Sequence, residues 1–215
     1  MSRIKACLFD LDGVVVDTAK YHYLAWKRLA SSLGFDFTKE DNERLKGVSR
    51  VQSLEILLSI GKVKPSESQK LKMAADKNSW YVEYISKLNE TEILPGVKSL
   101  LIELRQNGIK IALGSASKNS MLILNNLNLI PYFDVIIDGN KVSKAKPDPE
   151  VFLLGAKELN VMPSECVVFE DAKAGIEAAK AANMKAIGIG QKDVLSKADK
   201  VFKDLNNAHV DIIEF

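Results

Sequence analysis

The sequence predicts an α/β fold, a Rossmann-like parallel sheet core with an inserted all-helical cap. Two observations predict it. From Pro95 onward, short apolar runs alternate with helical stretches in units of about 20–30 residues, the pattern of a doubly wound parallel sheet. One further strand opens the chain, and residues 17–88 behind it carry no strong strand pattern. The simplest solution inserts that block after the first strand. The expected division is 1–16 with 89–215 as core and 17–88 as cap. Of the 215 residues, 47% are hydrophobic, enough for a buried core, so disorder as the main state is excluded.

Each element has its own warrant. Ile4-Lys5-Ala6-Cys7-Leu8-Phe9 is a short apolar run that reads as a buried strand, and Asp10-Leu11-Asp12-Gly13 breaks it. His22, Trp26, Leu29 and Leu33 share one helical face, and Gly34 stops that helix. Thr38 to Asp41 reads as an N-terminus. Ser49 caps a helix through Leu54, Leu57 and Leu58. Pro65-Ser66-Glu67 starts a longer one carrying Leu71, Ala75, Trp80 and Tyr84. The inserted block thus holds three or four helices. Beyond it, strands are expected at 109–113, 133–137, 166–169 and 185–189, and helices at 97–106, 119–128, 149–159 and 172–182.

Composition excludes several functions. Thirty Lys+Arg against 28 Asp+Glu leave a net charge of +2, too balanced for a nucleic-acid or anionic-membrane surface. No apolar run approaches the ~18 residues of a membrane span, and the N-terminus lacks a signal-peptide pattern. Cys7 and Cys166 are too few for a disulfide framework and read as buried thiols, so a cytoplasmic location is expected.

Four polar clusters fall at predicted strand ends or just before a helix: Asp10 with Asp12, Ser115 with Ser117, Lys146, and Glu170 with Asp171. Parallel strands point the same way, so these loops meet at the carboxyl edge, where ligands of such sheets bind. Several carboxylates together favour a hard cation such as Mg2+, which commonly bridges carboxylates to phosphate. Ser115 beside a helix start and Lys146 suit phosphate oxygens. A carboxylate can also attack phosphorus, with a second one two residues on moving the proton. The residues therefore point to magnesium-assisted phosphoryl transfer.

Phe9-Asp10-Leu11-Asp12-Gly13-Val14-Val15-Val16-Asp17-Thr18 resembles the first motif of the haloacid dehalogenase superfamily. Leu113-Gly114-Ser115-Ala116-Ser117 resembles the second, Lys146-Pro147-Asp148-Pro149 the third, and Glu170-Asp171-Ala172-Lys173-Ala174-Gly175-Ile176 the fourth. One motif alone would be weak; four in order over essentially the whole chain are strong. Within that superfamily, Tyr21 to Lys27, Leu45-Lys46-Gly47-Val48-Ser49-Arg50, Lys77-Asn78 and Ser115 to Asn119 resemble the β-phosphoglucomutase family.

That resemblance implies conversion of β-D-glucose 1-phosphate to glucose 6-phosphate through a 1,6-bisphosphate. It implies Asp10 as nucleophile and Asp12 as general acid and base. It implies Mg2+ on the Asp10 side chain, the Asp12 main-chain oxygen, Glu170 and Asp171. Ser115, the Ala116 backbone and Lys146 would hold the transferring phosphoryl. Arg50, with Ser117, Lys118 and Asn119, would hold the remote phosphate, and His22, Lys46, Gly47, Val48 and Lys77 would line the cap side. Val16 stands where these mutases often carry Thr. A plainer reading stays open for His22, whose face it shares with Trp26, as a buried structural histidine. A mutase must exclude water so that a sugar hydroxyl takes the phosphoryl group. The alternative is a magnesium-dependent sugar-phosphate phosphatase of the same superfamily, which needs no remote anchor. The expected partner is a small sugar phosphate, the expected state a monomer.

Overall fold

The structure, a computed structural model, describes residues 3–45 and 48–215. Strand β1 (Ala6–Phe9) is followed by helices α1 (Ala19–Ser32), α2 (Lys39–Glu43), α3 (Arg50–Gly61) and α4 (Glu67–Ile85). The chain then alternates through α5 (Val97–Gln106), β2 (Lys110–Gly114), α6 (Ser120–Asn126), β3 (Val135–Ile137), α7 (Glu150–Leu159), β4 (Cys166–Glu170), α8 (Lys173–Ala181), β5 (Lys185–Ile189) and β6 (Lys200–Phe202). All pairings are parallel, in the order β3-β2-β1-β4-β5-β6. The direction of strand order reverses between β1 and β4. That is the switch point at which open α/β sheets bind ligands.

The alternation of side chains along each strand builds two cores. Cys7 and Phe9 of β1 face Val97, Leu100 and Leu104 of α5 and Ile123 and Leu124 of α6. Ala6 and Leu8 face Phe152 and Ala156 of α7 and Ile176 and Ala179 of α8. The Phe9 and Phe169 rings stack at 4.4 Å, immediately before Asp10 and Glu170. Such a pair adds about 0.5–1.5 kcal/mol beyond burial. Gly114 leaves room for the Phe152 ring, since a Cβ there would come within 2.9 Å of it.

Helices α1, α3 and α4 pack on one another around a separate cluster of Trp26, Leu29, Phe37, Leu54, Leu57 and Leu58. Helices start after Thr38, Ser49 and Ser66, as the sequence predicts, and each of these residues also closes a capping box, with Asp41, Gln52 and Gln69. The two chain crossings between sheet and helices are joined to each other. Val16 bridges Ile93, the Leu94 N–H donates to the Val15 carbonyl at 3.0 Å, and Lys20 pairs with Glu92 at 2.5 Å. Val16 is fully buried there, an apolar task that a hydroxyl would not serve.

The structure corrects three sequence expectations. There is a sixth strand, β6, too short and too exposed to stand out as an apolar run. Leu71 and Ala75 of α4 are exposed, and the inward stripe is instead Lys77, Tyr81 and Ile85. The helix expected over 119–128 covers only Ser120–Asn126. Phe152 is fully buried and packs beside both Gly114 and the Lys146 ammonium, 4.8 Å from its ring. Phe152→Ala is therefore expected to cost about 3–5 kcal/mol in a urea unfolding titration.

Candidate active site

The carboxyl ends of β1, β2 and β4 carry the site. Register places Phe9 beside Leu113 and Phe169, so Asp10, Ser115 and Glu170 emerge at one edge. The Asp10 N–H donates to the Phe169 carbonyl at 2.9 Å, and the Ser115 N–H to the Ile137 carbonyl at 3.0 Å. Lys146, in the loop before α7, donates to Asp10 Oδ1 at 2.5 Å and to Glu170 Oε2 at 2.7 Å, with all three side chains buried. Glu170 Oε1 accepts from the Asp171 and Ala172 N–H groups at 3.1 and 3.0 Å.

Two glycines make this closeness possible. A Cβ on Gly175 would lie 1.9 Å from Glu170 Oε2. Gly13 has φ +81°, and a Cβ there would lie 2.3 Å from Asp171 Oδ2.

Asp10, Glu170 and Asp171 bring carboxylate oxygens within 4.8 Å of one another. Three hard anionic oxygens at that spacing fit a hard divalent cation. Burial above all, and then the Asp10 charge, raise the Glu170 pKa, and Lys146 offsets this only in part. Burial and then the Asp10 charge also push Asp12 up to about 7. Its Oδ1 is buried with no hydrogen-bond partner. A carboxyl group ionising near neutrality suits proton transfer in either direction.

A cavity of about 420 Å3 opens over this edge, within the ~300–1,000 Å3 of small-molecule sites. Asp10, Asp12, Ala116, Ser117, Lys118, Asn119, Lys146 and Asp171 line it from the sheet side. His22, Val48, Arg50 and Lys77 line it from the helical side. Ser115 and Glu170 are buried behind the wall. Lys46 and Gly47, expected on the cap side, lie outside the described residues.

The Ser115 hydroxyl accepts from the Ser117 N–H at 3.1 Å, and the Ser117 hydroxyl from the Asn119 N–H at 3.2 Å, which shapes that loop. Asn119 Nδ2 donates to Asn78 Oδ1 at 3.0 Å, tying α4 to the sheet edge. Lys77 Nζ lies 2.9 Å from His22 Nδ1. Burial and then Arg50 bring the Lys77 pKa down to about 7, and burial and then Lys77 hold His22 well below its usual range. His22 is partly buried and also faces the cavity, so the structural and site readings both apply.

The sequence reading left Tyr81, Ser143, Lys144 and Asn78 without a role, and took Trp26 as core alone; all five line the cavity. Tyr81 lies four residues after Lys77 on the same helical face, which was the available signal.

Lys146→Met would leave two buried carboxylates without their ammonium. It is expected to cost about 3–5 kcal/mol in metal-free urea unfolding. Added Mg2+ is expected to raise the Tm of this variant more than that of the unsubstituted protein.

Residues 7–189 match the family model described as haloacid dehalogenase-like hydrolase. The chain is 42% identical over 212 residues to β-phosphoglucomutase of Bacillus subtilis, covering 98% of this chain and 94% of that protein. It is 36% identical to a phosphorylated carbohydrates phosphatase of Thermotoga maritima, covering 86% and 84%. A crystal structure of β-phosphoglucomutase from Clostridium difficile superposes with a TM-score of 0.94 at 47% identity, covering 98% of this chain and 95% of that one. With the strand-end carboxylates, the buried lysine and the inserted helices in place, the chain belongs to the haloacid dehalogenase-like hydrolase family.

Proposed function

We propose that this protein is a β-phosphoglucomutase, interconverting β-D-glucose 1-phosphate and glucose 6-phosphate. The carrying observation is one cavity lined by two separate sets of cationic and polar groups. Asp10, Asp12 and Lys146 stand on the sheet edge, and Arg50, Lys77 and His22 on the helices. A sugar bearing two phosphates needs both sets, whereas a simple phosphatase needs only the first.

In this reading an Asp10 carboxylate oxygen bonds to phosphorus as the bond from phosphorus to the sugar oxygen breaks, giving a phosphoaspartate. Asp12 gives the leaving oxygen its proton. In the return step Asp12 takes the proton of the other sugar hydroxyl as that oxygen attacks the phosphoryl group. β-Glucose 1,6-bisphosphate is the intermediate, and it reorients between the halves. Lys146, Ser115 and the Ala116 backbone hold the transferring group. Arg50 grips the remote phosphate through its planar fork, with Ser117, Lys118 and Asn119 beside it. Asp10, Glu170, Asp171 and the Asp12 main-chain oxygen would hold Mg2+, which supplies positive charge to the phosphoryl oxygens.

The division into a core of 1–16 with 89–215 and a cap of 17–88 belongs to this reading, the cap closing over a bound sugar phosphate to exclude water. A reducing, cytoplasmic setting suits Cys7 and Cys166, both buried and free. No helix among the described residues is long and apolar enough to cross a membrane. The reading takes a monomer as the acting unit.

Two measurements test the reading. Protein with Mg2+, β-glucose 1-phosphate and a trace of β-glucose 1,6-bisphosphate should form glucose 6-phosphate with little free phosphate. Free phosphate alone would make the protein a phosphatase. Arg50→Ala should lower kcat/KM for glucose 6-phosphate formation by at least about 30-fold, the ~2 kcal/mol lower bound for removing one partner of a buried charge pair. Its hydrolysis of acetyl phosphate, which has no remote phosphate, should stay near that of the unsubstituted protein.

A further inference from the structure

On α4 the inward stripe of Lys77, Tyr81 and Ile85 puts an aromatic ring where three groups meet. The Tyr81 ring stacks on the His22 imidazole with centroids 4.0 Å apart and planes at 26°. The Lys77 ammonium lies 4.6 Å from the centre of the same ring and 4.5 Å from that of Trp26. Aromatic faces attract a cation without neutralising it. Held by these faces and by His22 Nδ1 at 2.9 Å, Lys77 has further N–H groups to turn toward a sugar or phosphate oxygen in the cavity.

The Tyr81 hydroxyl is buried without a hydrogen-bond partner. It faces Thr18, the residue before α1, whose hydroxyl is equally buried and also lacks hydrogen-bond geometry. Buried phenols normally find a partner, and Thr18 is the neighbour whose hydroxyl bears on this one. Thr18 sits two residues beyond Val16, where the chain crosses from sheet to helices.

We propose that Tyr81 is a positioning residue for the reaction: its ring holds His22 and Lys77 as one unit against the cavity, and its hydroxyl ties that unit to the head of α1 at Thr18. The proposal rests on the mutase reading and deepens it. It accounts for a large, fully buried aromatic side chain beside the substrate cavity whose hydroxyl lies against Thr18.

Two variants test it. Tyr81→Met fills space without a ring, and Tyr81→Phe removes only the hydroxyl. The chain has two histidines, His22 and His209, so proton NMR of the imidazole groups resolves each. In the unsubstituted protein the His22 ring proton is expected upfield, under the Tyr81 face. Tyr81→Met should lose that displacement and lower kcat for glucose 6-phosphate formation by up to about 10²-fold, the cost of a misplacement near 1 Å. Tyr81→Phe should keep the His22 signal and most of kcat, while releasing several-fold more free phosphate per glucose 6-phosphate.

A folded Tyr81→Met with an unmoved His22 signal, or with kcat within twofold of the unsubstituted protein, overturns the role of the ring. An unchanged phosphate ratio in Tyr81→Phe overturns the tie to Thr18. Should Tyr81→Met fail to fold, the unsubstituted protein decides the ring, since a His22 ring proton that is not displaced upfield overturns it, and the Tyr81→Phe ratio still decides the tie. The histidine spectra need no substrate. Unsubstituted protein that makes no glucose 6-phosphate would therefore sink the mutase reading and still leave the spectra to decide on Tyr81.

Discussion

A buried ammonium held between two buried carboxylates constrains the rest of this structure. Lys146 reaches both Asp10 and Glu170 because β1 and β4 are neighbours at the sheet's switch point. Removing such groups from water costs several kcal/mol per ion, recovered only when partners and backbone donors are placed well. The surroundings meet that demand. Two backbone N–H groups close on Glu170, Phe152 packs beside Lys146, and Gly13 and Gly175 admit carboxylates where any Cβ would collide. Charge still does not balance, since Asp171 adds a third carboxylate oxygen to the cluster. The excess is what a divalent cation would neutralise.

The helical layer answers a different need. It has its own apolar cluster, built on Trp26, Phe37 and Leu57, while Ala25, Tyr81 and Ile85 join the core packed on the sheet. Its cavity face presents Arg50, Lys77 and His22 where most helices would bury apolar side chains.

Much of this was legible in the sequence. Strand ends could be located because short apolar runs stop at Asp10, Ser115 and Glu170, and parallel strands must gather their ends at one edge. The actual strand order was not legible, because adjacency of β1 and β4 is a tertiary choice. β6 escaped because three half-exposed residues carry no periodic signal. Tyr81 and the true inner face of α4 escaped for a sharper reason. Periodicity weighs apolar residues, and this face buries a lysine and a tyrosine while leaving Leu71 in water. Where a helix breaks the hydrophobic rule, the break itself points to the site. Lys46 and Gly47 fall outside the described residues, and their roles stand on resemblance alone.

The central claim is that Asp10 carries the phosphoryl group between sugar oxygens. The most direct measurement mixes protein and Mg2+ with β-glucose 1,6-bisphosphate, quenches in acid within milliseconds, and maps the adduct by peptide mass spectrometry. The account predicts one phosphoryl group on the peptide containing Asp10, discharged when glucose 6-phosphate is added before the quench. Turnover with no covalent phosphoryl group, or with the group on another residue, would contradict it.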